Sequence, residues 1–387
     1  MKILYHHRTA SRDGQAVHIE EMISAFESLG HEVRVVSPAA AGGEGTMGGK
    51  VAWVHRLKDA LPRAVYELLE LAYSVVDYHR LKREARAFKP DFIYERYNLF
   101  LLSGVFLKRR LGIPLLLEVN SPLVHERSRH GGLGLKALAR WAEGVVWRGA
   151  DHVLPVTHVL GRYVAGYGVP PERIAVIPNG INEAHFSDAP DPEAAKAALG
   201  LAGKLILGFT GFVRDWHGVD RVVRWLATPQ APENAFLLVV GDGPARGELE
   251  ALAETLGVAD NVRFTGVIDR HDIPACVAAF DIALQPAVTP YASPLKLMEY
   301  LYLGKAIVAP AEPNLLEILS DRENAVTFDA AHEGGLENAL ATLCGDAALR
   351  RKLGAGARRT IDARELTWRG NAKKAVGLVQ GRQGQAP

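Results

Sequence analysis

The sequence predicts an α/β protein made of two doubly wound domains, each built around a parallel β-sheet. Short apolar strands alternate with longer amphipathic segments along the chain, which is the pattern of repeated strand–helix–strand units. The alternation starts again near residue 190, and 387 residues are too many for one hydrophobic core. These observations together indicate two domains of similar size.

The first half contains six predicted strands. They are Lys2–Tyr5, Glu32–Ser37, Phe92–Tyr94, Pro114–Val119, Asp151–Val156 and Arg173–Ile177. A polar loop containing Gly14 follows the first strand, and Val17–Ser28 has helical periodicity that ends before Gly30. A small-residue loop is predicted at Ala39–Gly49, and a long helical region runs from about Leu57 to Phe88.

The second half repeats this organisation. Its predicted strands are Leu205–Gly211, Phe236–Val240, Val262–Thr265, Ile282–Gln285 and Ala306–Ala309. Its predicted helices are Val219–Ala227, Arg246–Leu256, Ile273–Phe280 and Leu295–Leu303. We therefore predict two Rossmann-like domains, residues 1–180 and 181–365, with a hinge near Pro178–Ala189. A C-terminal helix is predicted in residues 366–387, with a frayed tail.

Composition and charge exclude several classes of function. Lys and Arg number 45 against 44 Asp and Glu, so the net charge of +1 gives no general field for holding nucleic acid. The two cysteines lack metal-ligand spacing, which excludes a disulfide scaffold and a zinc ribbon. No apolar run approaches a membrane span, and Met1–Tyr5 is too short for the core of a secretory signal. We therefore expect a cytoplasmic protein.

The most informative segment is Thr289–Lys305. Ser293 and Pro294 are predicted to cap and open a helix, because Ser is a favoured N-cap and Pro a favoured first helical residue. The free amides of that first turn, which includes Leu295, form an anion site to which Lys296 adds a positive charge. Glu299 lies one turn later, where its carboxylate can accept hydrogen bonds from sugar hydroxyls. A diphosphate joined to a ribose needs both groups; the alternative is an ordinary capped helix.

A second segment, Gly208–Arg221, ends a strand and enters a helix. Gly211 allows close approach of the backbone to a ligand, Arg214 offers a planar fork for phosphate oxygens, and His217 stands just before the helix. The alternative is a surface loop with Trp216 packed over it. The later segment Gly241–Gly247 is only a weak dinucleotide signal, because its glycine spacing is broken.

Together these segments resemble the retaining glycosyltransferases of the GT-B fold, specifically glycosyltransferase family 4, the group 1 glycosyltransferases. Five further segments, in chain order, extend the resemblance over nearly the whole chain. They are Gly14–His18, Ile177–Ile181, Leu238–Pro244, Asn261–Gly266 and Glu365–Trp368. The resemblance implies GT-B architecture, in which two Rossmann-like domains face a central cleft. It also implies transfer from a nucleotide diphosphate sugar without a covalent protein intermediate.

The resemblance also assigns roles to individual residues. Arg214 matches the arginine that binds the donor diphosphate, and Glu299 matches the second glutamate of a paired motif, which binds the ribose. Val267 matches the position whose backbone reads the base, and Gly14 matches the glycine that closes over the phosphates. Arg214, Lys296 and Glu299 are therefore the predicted catalytic residues. The rest of the predicted donor site is Gly14, Gly211, His217, Val267, Pro294 and Leu295.

Two positions depart from the family pattern. Tyr291 stands where the first glutamate of the paired motif is expected, which puts the contacts to the donor sugar in doubt. His217 replaces a lysine that usually accompanies the phosphate-binding arginine. One hypothesis is that bound phosphate converts His217 to the imidazolium; the other is that a neutral His217 orders its loop. No Asp-x-Asp triplet occurs, so we expect a donor site that needs neither a metal nor another cofactor.

The first half is expected to hold the acceptor, a glycan, a lipid-linked glycan or a small molecule. Glu95, Arg96, Glu118 and Asn120 follow strands and are the candidates; alternatively they are polar residues that merely end strands. The segment His125–Trp147 combines basic and tryptophan side chains, which could contact the cytoplasmic face of a membrane or belong to a solvated helix.

The sequence thus predicts a retaining glycosyltransferase of cytoplasmic polysaccharide biosynthesis with no nucleic-acid partner. One alternative is a nucleotide-sugar epimerase or hydrolase on the same fold. A Rossmann oxidoreductase is a second, although no Gly-x-Gly-x-x-Gly follows the first strand. A catalytically silent partner subunit is a third, because of Tyr291.

Overall fold

The computed structural model describes residues 1–9, 14–37, 61–130 and 132–383. The chain forms two compact units: unit 1 is Met1–Pro178 with the chain from Asn371 onward, and unit 2 is Asn179–Gly370. The loop predicted at Ala39–Gly49 lies outside the described residues, as does the start of the helical region predicted from Leu57. The predicted α/β class with two parallel sheets is confirmed.

Unit 1 contains a five-stranded parallel sheet. Its strands are β1 (Lys2–His6), β2 (Glu32–Val36), β3 (Phe92–Arg96), β4 (Leu115–Val119) and β5 (His152–Pro155). Their order across the sheet is β2-β1-β3-β4-β5, and Tyr5 of β1 pairs with Tyr94 of β3. The strand order reverses between β1 and β3, so ligands are expected outside the carboxyl ends of these strands.

Seven helices surround this sheet among the described residues. They are α1 (Gly14–Ser28), α2 (Arg63–Phe88), α3 (Ser103–Leu111), α4 (Leu123–His130), α5 (Lys136–Gly149), α6 (His158–Ala165) and, from the end of the chain, α15 (Trp368–Gln383). The first helix begins at Gly14 rather than at Val17, so Gly14 is a helical residue and not part of the predicted loop. The helix α15 begins in unit 2 and has most of its residues in unit 1.

The strand predicted at Arg173–Ile177 is wrong. Pro171–Arg173 forms a 3₁₀ turn, and Ile174 makes only an isolated parallel bridge to Val153. Two hydrogen bonds join this segment to the edge of β5, from the amides of Ala175 and Ile177 to the carbonyls of Val153 and Pro155, and the amide of Ile174 closes the turn by bonding to Pro171. A high β-propensity therefore produced an attached extended segment rather than a sixth strand.

Unit 2 contains a six-stranded parallel sheet. Its strands are β6 (Leu205–Thr210), β7 (Ala235–Val240), β8 (Val262–Phe264), β9 (Ile282–Leu284), β10 (Ala306–Pro310) and β11 (Ala325–Phe328). The order β8-β7-β6-β9-β10-β11 is that of a complete Rossmann sheet, with the reversal between β6 and β9. Alternate side chains of β6 enter two cores, Ile206 on one face and Leu207 on the other, because neighbouring strand residues point to opposite faces.

The helices of unit 2 cover both faces of its sheet. They are α7 (Glu183–Phe186), α8 (Pro192–Ala198), α9 (Val219–Leu226), α10 (Arg246–Thr255), α11 (Ile273–Ala278), α12 (Leu295–Tyr302), α13 (Gly335–Gly345) and α14 (Ala347–Arg364). The sequence analysis did not assign β11, α13 or α14. The four helices predicted in this unit are all present, each with its end shifted by one or two residues.

Candidate functional site

The candidate site of unit 2 lies at the reversal of strand order between β6 and β9. The loop 211–218 follows β6, and the loop 285–294 follows β9 and leads into α12. A hydrogen bond connects the end of β6 to α12: the amide of Thr210 donates to the Tyr300 hydroxyl at 2.9 Å. The first turn of α12 is thereby held beside the end of β6.

The loop before α12 is held by two asparagines that the sequence analysis did not select. Ser293 Oγ accepts from the amide of Asn179 at 3.2 Å, and the Ser293 carbonyl accepts from the Asn179 side chain. Asn314 donates to the carbonyls of Thr289 and Ala292. The predicted cap is therefore wrong by one residue: Pro294 is the N-cap, without a side-chain bond, since Ser293 is used by Asn179. Only the fold brings Asn179 and Asn314 to this loop.

Lys296 has an ammonium group that is buried without a partner. Among the described residues no hydrogen-bond acceptor contacts its Nζ, which lies 3.5 Å from the centroid of the Phe209 ring. A Cβ added to Gly211, where φ is +122°, would be 3.5 Å from the same Nζ. Burial lowers the pKa of Lys296 to about 7, with partial compensation from Glu299.

Glu299 is in a similar position. Its Oε2 is buried and has no hydrogen-bond partner among the residues that the structure describes. Burial raises the pKa of Glu299 to about 7, and the charges of Lys296 and Arg270 oppose that rise. Buried polar atoms are normally hydrogen-bonded, so an orphaned cation and an orphaned carboxylate one turn apart indicate a site prepared for a ligand.

Arg214 and His217 are on the facing loop. Arg214 is exposed, with its guanidinium 5.0 Å from the centroid of Phe212. His217 is buried against Phe209 and Trp216, and its Nδ1 is 3.1 Å from the amide of Arg214. Since a backbone amide donates, Nδ1 must be an acceptor, which fixes the proton of the neutral ring on Nε2. Burial lowers the pKa of His217 to about 3, helped by the charges of Lys296 and Arg214.

This geometry favours the neutral, loop-ordering role of His217 over the imidazolium. Protonation of His217 would break the hydrogen bond between its Nδ1 and the Arg214 amide. It would also add a third positive charge to those of Lys296 and Arg214. We predict that His217→Gln changes the affinity for a nucleotide sugar by the same factor at every pH between about 6.5 and 8.5. Calorimetric titrations of both proteins across this range test it. A ratio of affinities that changes with pH would show that His217 titrates.

The weak dinucleotide signal at Gly241–Gly247 has a structural explanation. A Cβ on Gly241 would lie 2.2 Å from the Gly211 carbonyl oxygen, and one on Gly243 would lie 2.1 Å from that of Val213. The Val213 amide also donates to the Asp242 carbonyl at 2.9 Å. These glycines allow the two loops to meet, and so support the shape of the 211–218 loop.

The structure brings several of the predicted donor residues together in unit 2. Gly211, Arg214, His217, Lys296 and Glu299 are linked through the contacts and charge interactions given above. Pro294 and Leu295 open α12 beside them. Val267 follows β8 and is 86% exposed. Gly14 belongs to unit 1.

In unit 1, three of the four predicted acceptor residues form one buried cluster. Glu118 pairs with Arg96 and His18 and accepts hydrogen bonds from Tyr94 and Asn120. Burial alone would raise the pKa of Glu118, but His18 and Arg96 outweigh it and hold that pKa well below its usual range. The carboxylate is thus fully engaged inside the protein, and Asn120 is the only half-buried member of the predicted set.

Glu95 belongs to a second buried cluster. His6 lies between two carboxylates, with Nδ1 at 2.6 Å from Glu95 and Nε2 at 2.9 Å from Asp77. Burial disfavours the charged ring, but the two carboxylates raise the pKa of His6 to about 9. The neighbouring His7 is half-buried, and burial, His6 and Arg96 lower its pKa to about 4. His6, His7 and Asp77 were missed, since no sequence motif marks them.

The segment His125–Trp147 is only partly available as a surface. Arg127 is engaged in two hydrogen bonds to Glu70, and Trp147 is fully buried and so cannot contact a membrane. Lys136, Arg140 and Trp141 of α5 are exposed. Within the described residues no helix is both long and apolar enough to span a bilayer, and no group of three or more His, Cys, Asp or Glu side chains is arranged to hold a metal ion.

Comparisons with known proteins assign the fold and family. Residues 13–180 match the family "Glycosyl transferase 4-like domain", and residues 191–360 match "Glycosyl transferases group 1". The chain therefore belongs to the group 1 glycosyltransferases, and the predicted family resemblance is confirmed.

Individual relatives agree with this assignment. The 2-deoxystreptamine N-acetyl-D-glucosaminyltransferase of Streptomyces fradiae is 28% identical over 215 residues, 52% of this chain and 50% of that protein. The chain thus spans about half the length of this curated relative. Sucrose-phosphate synthase of Thermosynechococcus elongatus superposes over 100% of both chains with a TM-score of 0.78 and 18% identity. Anabaena HepE in complex with UDP-glucose covers 98% of this chain and 100% of its own, with a TM-score of 0.73 and 18% identity. These superpositions confirm the GT-B fold.

Proposed function

We propose that the protein is a retaining glycosyltransferase whose unit 2 binds a nucleotide diphosphate sugar. The observation that carries the proposal is the pair of buried, unpartnered atoms, Lys296 Nζ and Glu299 Oε2, at the strand-order reversal. A ligand with adjacent negative charges and hydroxyl groups would satisfy both atoms. The complex of Anabaena HepE with UDP-glucose supports this class of donor.

The geometry suggests how the leaving diphosphate is stabilised. The Lys296 ammonium and the exposed Arg214 guanidinium supply two positive charges, and the first-turn amides of α12 add the positive end of a helix dipole. The Nε2–H of neutral His217 supplies one more donor. These groups exist before the reaction, so they lower the barrier by stabilising the charge that develops on the diphosphate as the sugar departs.

Glu299 is assigned to the ribose, and unit 1 to the acceptor. The ionised Glu299 carboxylate can accept hydrogen bonds from the paired hydroxyls of a ribose. The ammonium of Lys296 and the guanidinium of Arg214 can only donate, which suits them to phosphate instead. In unit 1 the half-buried His7 and Asn120 stand at the carboxyl ends of β1 and β4. Neutral imidazole and amide groups suit hydroxyl recognition, so we assign a glycan or other polyhydroxylated acceptor to this edge.

A transfer assay tests the proposal. Purified protein is incubated with a panel of nucleotide sugars and acceptor glycans, and released nucleoside diphosphate and product are measured. We expect release that depends on acceptor, with the anomeric configuration of the donor kept in the product by NMR. A second nucleotide sugar formed from donor alone would support the epimerase alternative. We place the activity in the cytoplasm and in polysaccharide biosynthesis as part of this proposal.

Metal independence is a separate expectation of the same assay. The positive charges proposed for the diphosphate are Arg214 and Lys296, aided by helix amides, so no divalent ion is required to neutralise it. We expect turnover to be unchanged by EDTA. Loss of activity in EDTA that magnesium restores would contradict this electrostatic account.

A further inference from the structure

The long helix α2 of unit 1 has its polar side inward as far as Asp77. Its first four buried residues are Glu67, Glu70, Ser74 and Asp77, and the three that follow, Leu81, Ala85 and Phe88, are apolar. Five branched aliphatic residues of the same helix are instead largely exposed: Val65 (42%), Leu68 (51%), Leu69 (47%), Val75 (61%) and Val76 (65%). A surface helix normally shows the opposite arrangement, with its apolar side toward the core.

Polar contacts of Glu67 and Asp77, the first and last of these buried polar residues, fix the orientation of α2. Glu67 accepts from the amides of Gly134 and Leu135 at 2.8 and 2.7 Å, so it is tied to the start of α5. Asp77 bonds to His6 and to Ser103, the first residue of α3.

Two further contacts lie between them. Glu70 accepts two hydrogen bonds from Arg127, and the Ser74 hydroxyl donates to the Phe100 carbonyl. Rotating α2 to bury its aliphatic residues would break all of these buried bonds. The outward direction of the apolar side is therefore a property of the fold.

The exposed side forms one continuous stripe that changes from apolar to basic. Residues spaced alternately by four and three positions lie on one face of a helix. We call the following set the α2 stripe: Val65, Leu69, Ala72, Val76, His79, Arg83 and Arg86, with Leu68 and Val75 beside it. The apolar part is about 16 Å long at 1.5 Å per residue.

The stripe contains no acidic residue. Three of the four acids of α2 are buried on the opposite side, and Glu84 lies within hydrogen-bond distance of Arg34 and Arg83.

We propose that the α2 stripe binds the surface of an anionic lipid bilayer. Aliphatic side chains would enter the interface between headgroups and acyl chains, while the basic residues would pair with lipid phosphates. Pairing with a second copy is disfavoured, since Arg83 and Arg86 would face the same residues of the other chain in a parallel pair and its apolar residues in an antiparallel pair. The proposal does not depend on the donor site.

Vesicle sedimentation of the full-length protein tests this. We expect binding to vesicles of phosphatidylglycerol and phosphatidylcholine and much weaker binding to phosphatidylcholine alone. The double variant Val75→Ser, Val76→Ser should lose roughly tenfold or more of the binding, because it removes apolar contact area. Both positions are exposed, so its thermal unfolding should stay that of the wild type. The matched control is Leu316→Ser, which alters a 45%-exposed leucine of unit 2 and should bind like the wild type.

Three outcomes would overturn the proposal. They are absence of binding to anionic vesicles, equal binding by the wild type and the double variant, and a lipid-free dimer, seen by light scattering, that the double variant dissociates. If that variant does not fold, Leu68→Ser with Leu69→Ser replaces it. A failure here leaves donor binding unaffected, so the two proposals can fail separately.

Discussion

Replacement of Lys296 by Met is expected to weaken the binding of a nucleotide sugar by about tenfold or more. A hydrogen bond to a charged group is worth roughly 1.5–3 kcal/mol, and Lys296 Nζ has no partner that would compete with the diphosphate. The unliganded variant should be at least as stable as the wild type, because the substitution removes a buried, unpaired ammonium and Met packs well against Phe209. Calorimetry and thermal unfolding measure the two effects.

The same comparison has a predicted pH dependence. The pKa of Lys296 is about 7 in the free protein, and a bound diphosphate raises it. The part of the wild-type advantage that comes from the charge of Lys296 is therefore complete well below pH 7, shrinks as the pH rises through 7 toward the pKa of the complex, and then stays constant. Glu299 titrates in the same range, because its own pKa is about 7 and is lowered by Lys296. A nucleotide sugar is the right ligand, because both its phosphates are esterified and do not titrate in this range. The exposed Lys352→Met is the matched control; an equal loss in it, or no loss in Lys296→Met, would contradict the assignment.

Replacement of Glu118 by Gln is expected to destabilise the protein strongly, by about 3–5 kcal/mol. The substitution leaves Arg96 and His18 buried without their carboxylate partner. The folded pKa of Glu118 is lowered, so its contribution is present above the unfolded pKa of about 4.5 and is lost as the pH falls toward the folded value. The loss should hence be constant between about pH 5.5 and 8. Chemical denaturation of both proteins measures it.

A second substitution checks the cause. In the double variant Arg96→Met, Glu118→Gln the uncompensated guanidinium is gone, so part of the lost stability should return. Losses that simply add would mean that the pair is not coupled. A loss below about 1 kcal/mol in Glu118→Gln would mean that the cluster is a surface feature rather than a buried network.

The fold was predictable because local patterns and overall architecture agree in this chain. Strands such as β6 and β7 are continuous apolar runs, which parallel sheets require since both of their faces are covered. The predicted strand at Arg173–Ile177 failed because a 3₁₀ turn occupies its first residue and only an isolated bridge joins the rest to β5. Strand order could not be read from the sequence, although it is what places the 211–218 loop beside α12.

The candidate site was predictable only in its charged residues. Arg214, Lys296 and Glu299 stand in recognisable segments, but the cap at Ser293 was wrong because Asn179, more than a hundred positions away, bonds to that residue. The orientation of α2 could not be predicted from the sequence either. Its sequence contains both an aliphatic and an acidic side, and only long-range contacts such as Glu67 to the start of α5 decide which one is buried.

Hydrogen–deuterium exchange of the full-length protein, with and without a nucleoside diphosphate, tests the central claim most directly. The account places the ligand on the loop after β6 and on the first turn of α12. It therefore predicts slower exchange within residues 211–218 and 294–299 at a ligand concentration near the wild-type dissociation constant, and much weaker slowing in these segments of Lys296→Met at the same concentration. Protection confined to unit 1, or equal protection in both proteins, would contradict it.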